Sequence, residues 1–380
     1  MKIRATFLML AGLSIATASA FASDYCVKDI SLDTYKSFIP QPKPRAQRYS
    51  NEPLKQDLPS FSVSATLDNH QLSFVKQDGQ TYPVTKLNAG DDYNAWDAIY
   101  ELEDHWLYIG GAQYNHVLHF HLNSQQQWVV DQIIRIKKEE GIVERLASFV
   151  FGWDTVQIRR DNLTSIKRIS GDVVYSPVLQ RLFIPTAMQE FKNGDFTPFG
   201  NVKAKTTYVG DIPRLKIAFL KADNGQLYSY DGVQLKPVIN GRVKPFLLDK
   251  DVFEQGVLHD VPALNRLFYT IRAGVYELVK KPDTYELKPI PLPENAGNDL
   301  FFTRFIPTPD GNDIAILTRG NIILLSSLEG IYPRSIPKQQ INMGSYALPA
   351  LIPQLKGIVF TTGGLSYPME HHLLTKCSDK

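Results

Sequence analysis

Cysteine is almost missing from this chain: of 380 residues only Cys26 and Cys377 carry a thiol, one near each end. If the two are oxidised to each other no thiolate remains, so a cysteine nucleophile is excluded. Net charge is missing as well. The chain has 41 Lys+Arg against 39 Asp+Glu, and there is no basic footprint of the kind that holds nucleic acid or anionic lipid. Outside the first two dozen residues no stretch of about 18 uninterrupted apolar residues occurs, so no membrane insertion is expected. Also absent are a glycine-rich phosphate loop, a Gly-x-Ser-x-Gly elbow and a His-Glu-x-x-His helix. Spacing alone does not exclude a triad assembled from scattered residues.

What is present begins with a leader. Lys2 and Arg4 precede an almost wholly apolar run from Phe7 to Ala18, and small residues follow at Ala18, Ser19, Ala20 and Ala22. Residues 1–22 read as a secretory signal peptide, which places the mature protein in the periplasm or outside the cell. Ser23-Asp24-Tyr25 before Cys26 is unlike the small, apolar box of a lipid-attachment site. In an oxidising compartment two thiols with no third competitor are expected to pair, so a Cys26–Cys377 disulfide is predicted. Residues 39–60 hold five prolines among charged and amide residues. The stretch 23–60 therefore reads as an N-terminal arm with a Pro-rich strap.

From residue 61 onward strand signals recur. Gln71 to Lys76 and Thr81 to Leu87 flank Asp78-Gly79, and Leu215 to Leu220 is followed by Asn224-Gly225 and Leu227 to Tyr230. Both dipeptides tolerate positive φ at a hairpin turn. The apolar centres of the later leading strands fall near Ala218, Phe268, Ala315 and Val359, giving steps of 50, 47 and 44 residues. Such a period matches blades of several strands each, and the fold expected over 61–380 is an all-β propeller of about seven blades, with six or eight also possible. One step, from Leu107 to Phe183, is 76 residues long, and apolar residues at helical spacing between Gly141 and Gly152 point to a helical insertion near 138–152.

The segment from Arg304 to Thr318, with Pro309-Asp310-Gly311 at its turn, resembles the WD40-like repeat of TolB-type propellers. Leu215 to Leu220 with Asn224 to Tyr228 is similar to the second half of that unit. The resemblance implies a propeller and, through it, a binding surface. It carries no catalytic residue across.

Candidate site residues are few. In His116-Val117-Leu118-His119-Phe120-His121, a strand would set His119 and His121 on one face and His116 on the other. His119 and His121 are thus weak metal candidates needing a further ligand, for which His371 or His372 would serve. Gly90 to Asp97 offers three carboxylates and an amide for calcium but departs from a known loop pattern. Tyr93 and Trp96 in that loop, and Phe191, Phe196 and Phe199 in a segment broken by Gly194, Pro198 and Gly200, have the composition of protein-contact anchors. The phenylalanine loop either meets a partner or folds back on its own blade. The function expected is a monomeric, exported, non-enzymatic scaffold that binds another protein and needs no cofactor, one version being a protein that neutralises a toxin acting in the periplasm. The alternative is a metal-assisted lyase or hydrolase with its site at the mouth of the central channel.

Overall fold

Short runs of Val, Ile, Leu, Phe and Tyr, broken at close intervals by Gly, Asn and Asp, favour strands joined by tight turns over helices. The computed structural model describes residues 25–38, 53–87, 96–111, 114–137, 165–170, 173–244, 256–292, 300, 303–319, 321–326, 331–335, 349–364 and 367–377. The expected leader, the Pro-rich stretch before residue 53, Tyr93 and the expected helical insertion lie outside the described residues.

The fold is a β-propeller. Among the described residues, seven four-stranded antiparallel meanders follow one another. Blades 1 to 6 span 54–86, 96–137, 174–198, 206–242, 257–289 and 304–335. Blade 7 joins three strands from 350–376 to the N-terminal strand Tyr25–Ile30. Blade 2 carries a fifth strand, Ser165–Ser170, which pairs in parallel with the outer strand Trp128–Lys137. Blades 4 and 5 share a single parallel bridge between Ile239 and Glu286. The chain divides into two compact units, one of residues 41–305 and one of residues 1–40 with 306–380.

The stretch 23–60 contributes more than an arm. Strand Tyr25–Ile30 pairs antiparallel with the last strand, from Tyr25 opposite Lys376 to Ile30 opposite His371. Strand Leu54–Leu58 is the first of blade 1. Between them lies the short helix Leu32–Phe38, capped by the Ser31 hydroxyl on the Thr34 amide at 3.1 Å, whose Tyr35 is buried against blade 7. The first of these strands takes its hydrogen bonds from residues some 340 to 350 positions away, which a local pattern does not signal, whereas Leu54–Leu58 pairs with the neighbouring Val63–Leu67.

Within 41–305 the core lies between successive sheets, and strand alternation decides which seam each side chain fills. In strand Trp106–Gly111 of blade 2, Leu107 and Ile109 join the cluster shared with Leu58, Phe61 and Phe74 of blade 1. Trp106 and Tyr108, one residue out of phase, face Leu182, Ile184 and Phe191 of blade 3. Phe183 turns the other way, to Leu220 and Tyr230 of blade 4, while Phe219 meets Leu267 and Tyr269 of blade 5. Sheets buried on both faces explain strands that are apolar throughout.

Candidate functional site

One local device repeats at the turn between the first and second strands. Pro59-Ser60-Phe61, Pro213-Arg214-Leu215, Pro262-Ala263-Leu264 and Pro353-Gln354-Leu355 each form a single 3₁₀ turn. The next residue, Ser62, Lys216, Asn265 or Lys356, has φ between +46° and +53°. Proline presets the first φ, the third residue tucks an apolar side chain inward, and the left-handed residue reverses the chain. Pro177-Val178-Leu179 with Gln180 at φ +52° is the blade 3 counterpart.

In blades 2 to 6 the residue two positions before that first connection, or its counterpart, carries a side chain that reaches back to the preceding blade. Glu101 accepts from the Ser60 amide at 3.2 Å. Tyr175 stacks on Tyr100 with centroids 4.1 Å apart. Asp211 accepts from the Ser176 hydroxyl at 2.7 Å, and Asp260 from Arg214 Nε at 2.6 Å. Phe305 stacks on Phe268 at 4.3 Å. The same position therefore seals five successive seams, by charge in three and by ring stacking in two. Proline-preset turns and seam contacts of this kind restrict the conformations open to the turn end. In blades 1 to 5 the hairpins between third and fourth strands close at the same end, and there Leu122 and Val233 stand 44% and 81% exposed.

The histidine pair lies near that end of blade 2. His119 and His121 sit on the third strand, Tyr114–Leu122. Opposite them the register slips: His119 faces Gln132 and Phe120 faces Val130, so Asp131 is an extra, bulged residue. The bulge re-aims its carboxylate at both imidazoles. His119 Nδ1 is 2.7 Å from Asp131 Oδ1, and His121 Nδ1 is 3.4 Å from Asp131 Oδ2. The Trp106 ring backs His119 at 4.8 Å. One carboxylate thus occupies the Nδ1 atoms of both rings. Among the described residues no group of three or more His, Cys, Asp or Glu side chains is arranged to hold a metal ion.

Beside Trp106 a small crevice of about 20 Å³, room for a single water, is lined by Glu103, Asp104, Arg181, Lys192 and Asn193 among others. Arg181 grips Glu190 at 2.8 Å, and the Tyr230 hydroxyl donates to the same carboxylate at 2.7 Å. Burial, with Glu190 adding to it, pushes the Tyr230 hydroxyl up. Two other histidines, His116 buried and His259 half-buried, are pushed toward the neutral form. Burial first and Arg135 second take His116 down to about 3, and burial with Arg304 does the same to His259.

The aromatic candidates are mostly used inside. Phe191 and Phe196 are buried in the seam between blades 2 and 3, in edge contact with each other at 5.3 Å. Phe199 packs half-buried on Phe183 and Tyr230. Gly194, at φ +80°, lets this hairpin press on Trp106, where a Cβ would come within 3.2 Å of the ring. The loop folds back because three rings gain more by leaving water than by facing it. Half-buried Trp96 packs on the seam between blades 1 and 2, and its indole N–H donates to the Asn69 carbonyl. His371 and His372 lie on the last strand of blade 7, in the other unit, and are engaged locally: His371 stacks on Tyr35 at 4.1 Å, and His372 bridges Asp29 at 2.8 Å and Thr362 at 2.7 Å. Sequence reading missed Asp131, whose aim depends on a bulge, and the seam carboxylates, although Asp-Ile-Pro at 211–213 and Asp-Val-Pro at 260–262 were there as a repeat.

No family model matches the chain, and no curated protein matches it. Among solved structures it is similar to virginiamycin B lyase from Staphylococcus aureus, at 9% identity over 92% of this chain and 99% of that one, with a TM-score of 0.29. It is also similar to the extracellular domain of a one-component system from B. thetaiotaomicron, at 14% identity over 86% of this chain and 35% of that one, TM-score 0.30. The WD40 domain of SCAP from fission yeast matches at 8% identity over 93% and 73%, TM-score 0.28. Scores this low carry no argument about what the present chain does.

Proposed function

We propose that the protein is an exported, non-enzymatic scaffold that binds another protein through the turn end of its blades. The observation that carries this reading is the stiffened end itself. Proline-led turns and seam-sealing side chains hold it in one shape, so little ordering entropy opposes association. Leu122 and Val233 supply apolar area there, and Lys216, Lys192, Glu103 and Asp104 supply a mixed polar rim. With overall charge near zero, shape decides affinity more than long-range steering does. Work in the periplasm or outside the cell, to which the leader and the disulfide both point, suits a protein that neutralises a toxin acting there. Capture from an envelope extract tests the reading. One stoichiometric partner, lost on Val233→Lys or Leu122→Lys while the oxidised fold persists, is the expected result. No such partner under several salt conditions refutes it.

One observation favours a second reading, a metal-assisted lyase or hydrolase: Asp131 supplies the carboxylate that the histidine pair lacked in sequence. One equivalent of metal in protein purified without chelators, lost on His119→Ala, would put that reading first.

A further inference from the structure

Blade 7 differs from the others in lacking a hairpin between its third and fourth strands. Those strands come from opposite ends of the chain, and the Cys26–Cys377 disulfide, with Cα atoms 5.0 Å apart and a sequence separation of 351, stands where a turn would be. Two thiols separated by that much chain seldom meet by diffusion alone, because the loop they close is long. Something must first hold the N-terminal strand in register.

Asp310, in the Pro-Asp-Gly turn of blade 6, is placed to do so. Its carboxylate is fixed by the Thr308 hydroxyl at 2.7 Å and by the Asn312 amide at 3.2 Å. Onto this post converge the Tyr25 hydroxyl, at 2.7 Å from Oδ1, and Lys376 Nζ, at 2.8 Å from Oδ2. Tyr25 and Lys376 are cross-strand partners, and each immediately precedes one of the two cysteines. Tyr25 is 2% exposed, so its hydroxyl leaves water to make this contact. We propose that Asp310 is a positioning residue for disulfide formation: by holding Tyr25 and Lys376 on one carboxylate it sets the Cys26 and Cys377 thiols side by side before they are oxidised. A disulfide oxidant then accepts two electrons and two protons and leaves as two thiols, while one S–S bond forms between the strands. Closure is therefore two steps, docking and then locking. The second awaits an oxidising compartment. This inference does not depend on what the protein binds.

The test reads thiol pairing rather than stability. The full-length chain, reduced under native conditions, is equilibrated in glutathione buffers of graded ratio, and free Cys26 and Cys377 are trapped by alkylation and counted by mass spectrometry. Asp310→Asn is expected to lower the effective concentration of the thiol pair about tenfold, the loss of one charge-assisted hydrogen bond. Tyr25→Phe is expected to lower it about threefold or more, and Asp310→Glu to restore part of it. Glu286→Gln, on blade 5, should leave it unchanged. A purely structural role would lower the urea midpoint of the reduced protein yet leave pairing at wild-type level. If Asp310→Asn does not fold, Tyr25→Phe, which removes one oxygen, carries the test. Pairing within twofold of wild type in whichever of these variants fold overturns the proposal.

Discussion

Acid should unfold this protein through two desolvated histidines, and the size of the effect follows from their surroundings. Burial holds His116 and His259 down to about 3, helped by Arg135 and Arg304 respectively. In an unfolded chain each imidazole takes up a proton near pH ~6.5, whereas in the folded protein neither does so until much lower pH. The unfolded state therefore binds more protons throughout that window, and stability falls as pH falls. Each histidine contributes a slope of about 1.4 kcal/mol per pH unit, or roughly 5 kcal/mol for the pair between about pH 6.5 and 4.5. That is comparable with the whole stability of an ordinary domain. Asp310 behaves differently: burial works upward on it, but Lys376, Thr308 and Tyr25 outweigh that and hold its carboxyl well below the usual range. Its contribution is present above the ordinary carboxylate pKa and fades only at lower pH, outside the window. Urea unfolding of the oxidised protein at several pH values from 7 to 4.5 measures the slope. His259→Gln and His116→Gln should each flatten it by about one proton's worth, whatever they do to stability at pH 7. Variants as steep as wild type would refute the assignment of both histidines as neutral.

Three further outcomes are expected. Replacing Cys26 and Cys377 by serine should lower stability by several kcal/mol, with a chain-entropy ceiling of about 6 kcal/mol for a loop this long, and urea midpoints with and without reductant check it. A double-mutant cycle on Arg214 and Asp260 should return a coupling of about 1 kcal/mol, since the contact is charge-assisted yet partly solvated. A coupling near zero would remove the seam role given to Asp260. Lys216→Gly should raise the thermal midpoint slightly, by the worth of about 1 kcal/mol, because the lysine is held at φ +53° where glycine is unstrained. A fall would mean that the Lys216 side chain makes a contact worth more than that strain.

How much was legible in the sequence depended on the distance over which each feature is decided. Asp78-Gly79, Asn224-Gly225 and Pro309-Asp310-Gly311 announce their turns because a few adjacent residues settle backbone conformation, and all three glycines have positive φ. The step near 47 residues was readable for the same reason, being a sum of local strands and turns. Phe191 and Phe196 were ambiguous: their neighbours Gly194 and Pro198 look like a surface loop, and only Trp106 of the blade beside them makes the burial worthwhile. That Asp131 reaches both His119 and His121 could not be read from spacing, since it is the bulged residue between Val130, opposite Phe120, and Gln132, opposite His119.

The amino-acid sequence by itself determined the strand-and-turn rhythm, the number of blades to within one, and which two sulfurs would join, because turn chemistry, side-chain alternation and a lone pair of thiols each act without knowledge of the rest of the chain. Only tertiary structure decided that Tyr25 and Lys376 share Asp310, that one position in each of blades 2 to 6 seals the seam behind it, and that two histidines lose their protons. Those outcomes rest on desolvation and on contacts between residues tens to hundreds of positions apart, and no local pattern contains them.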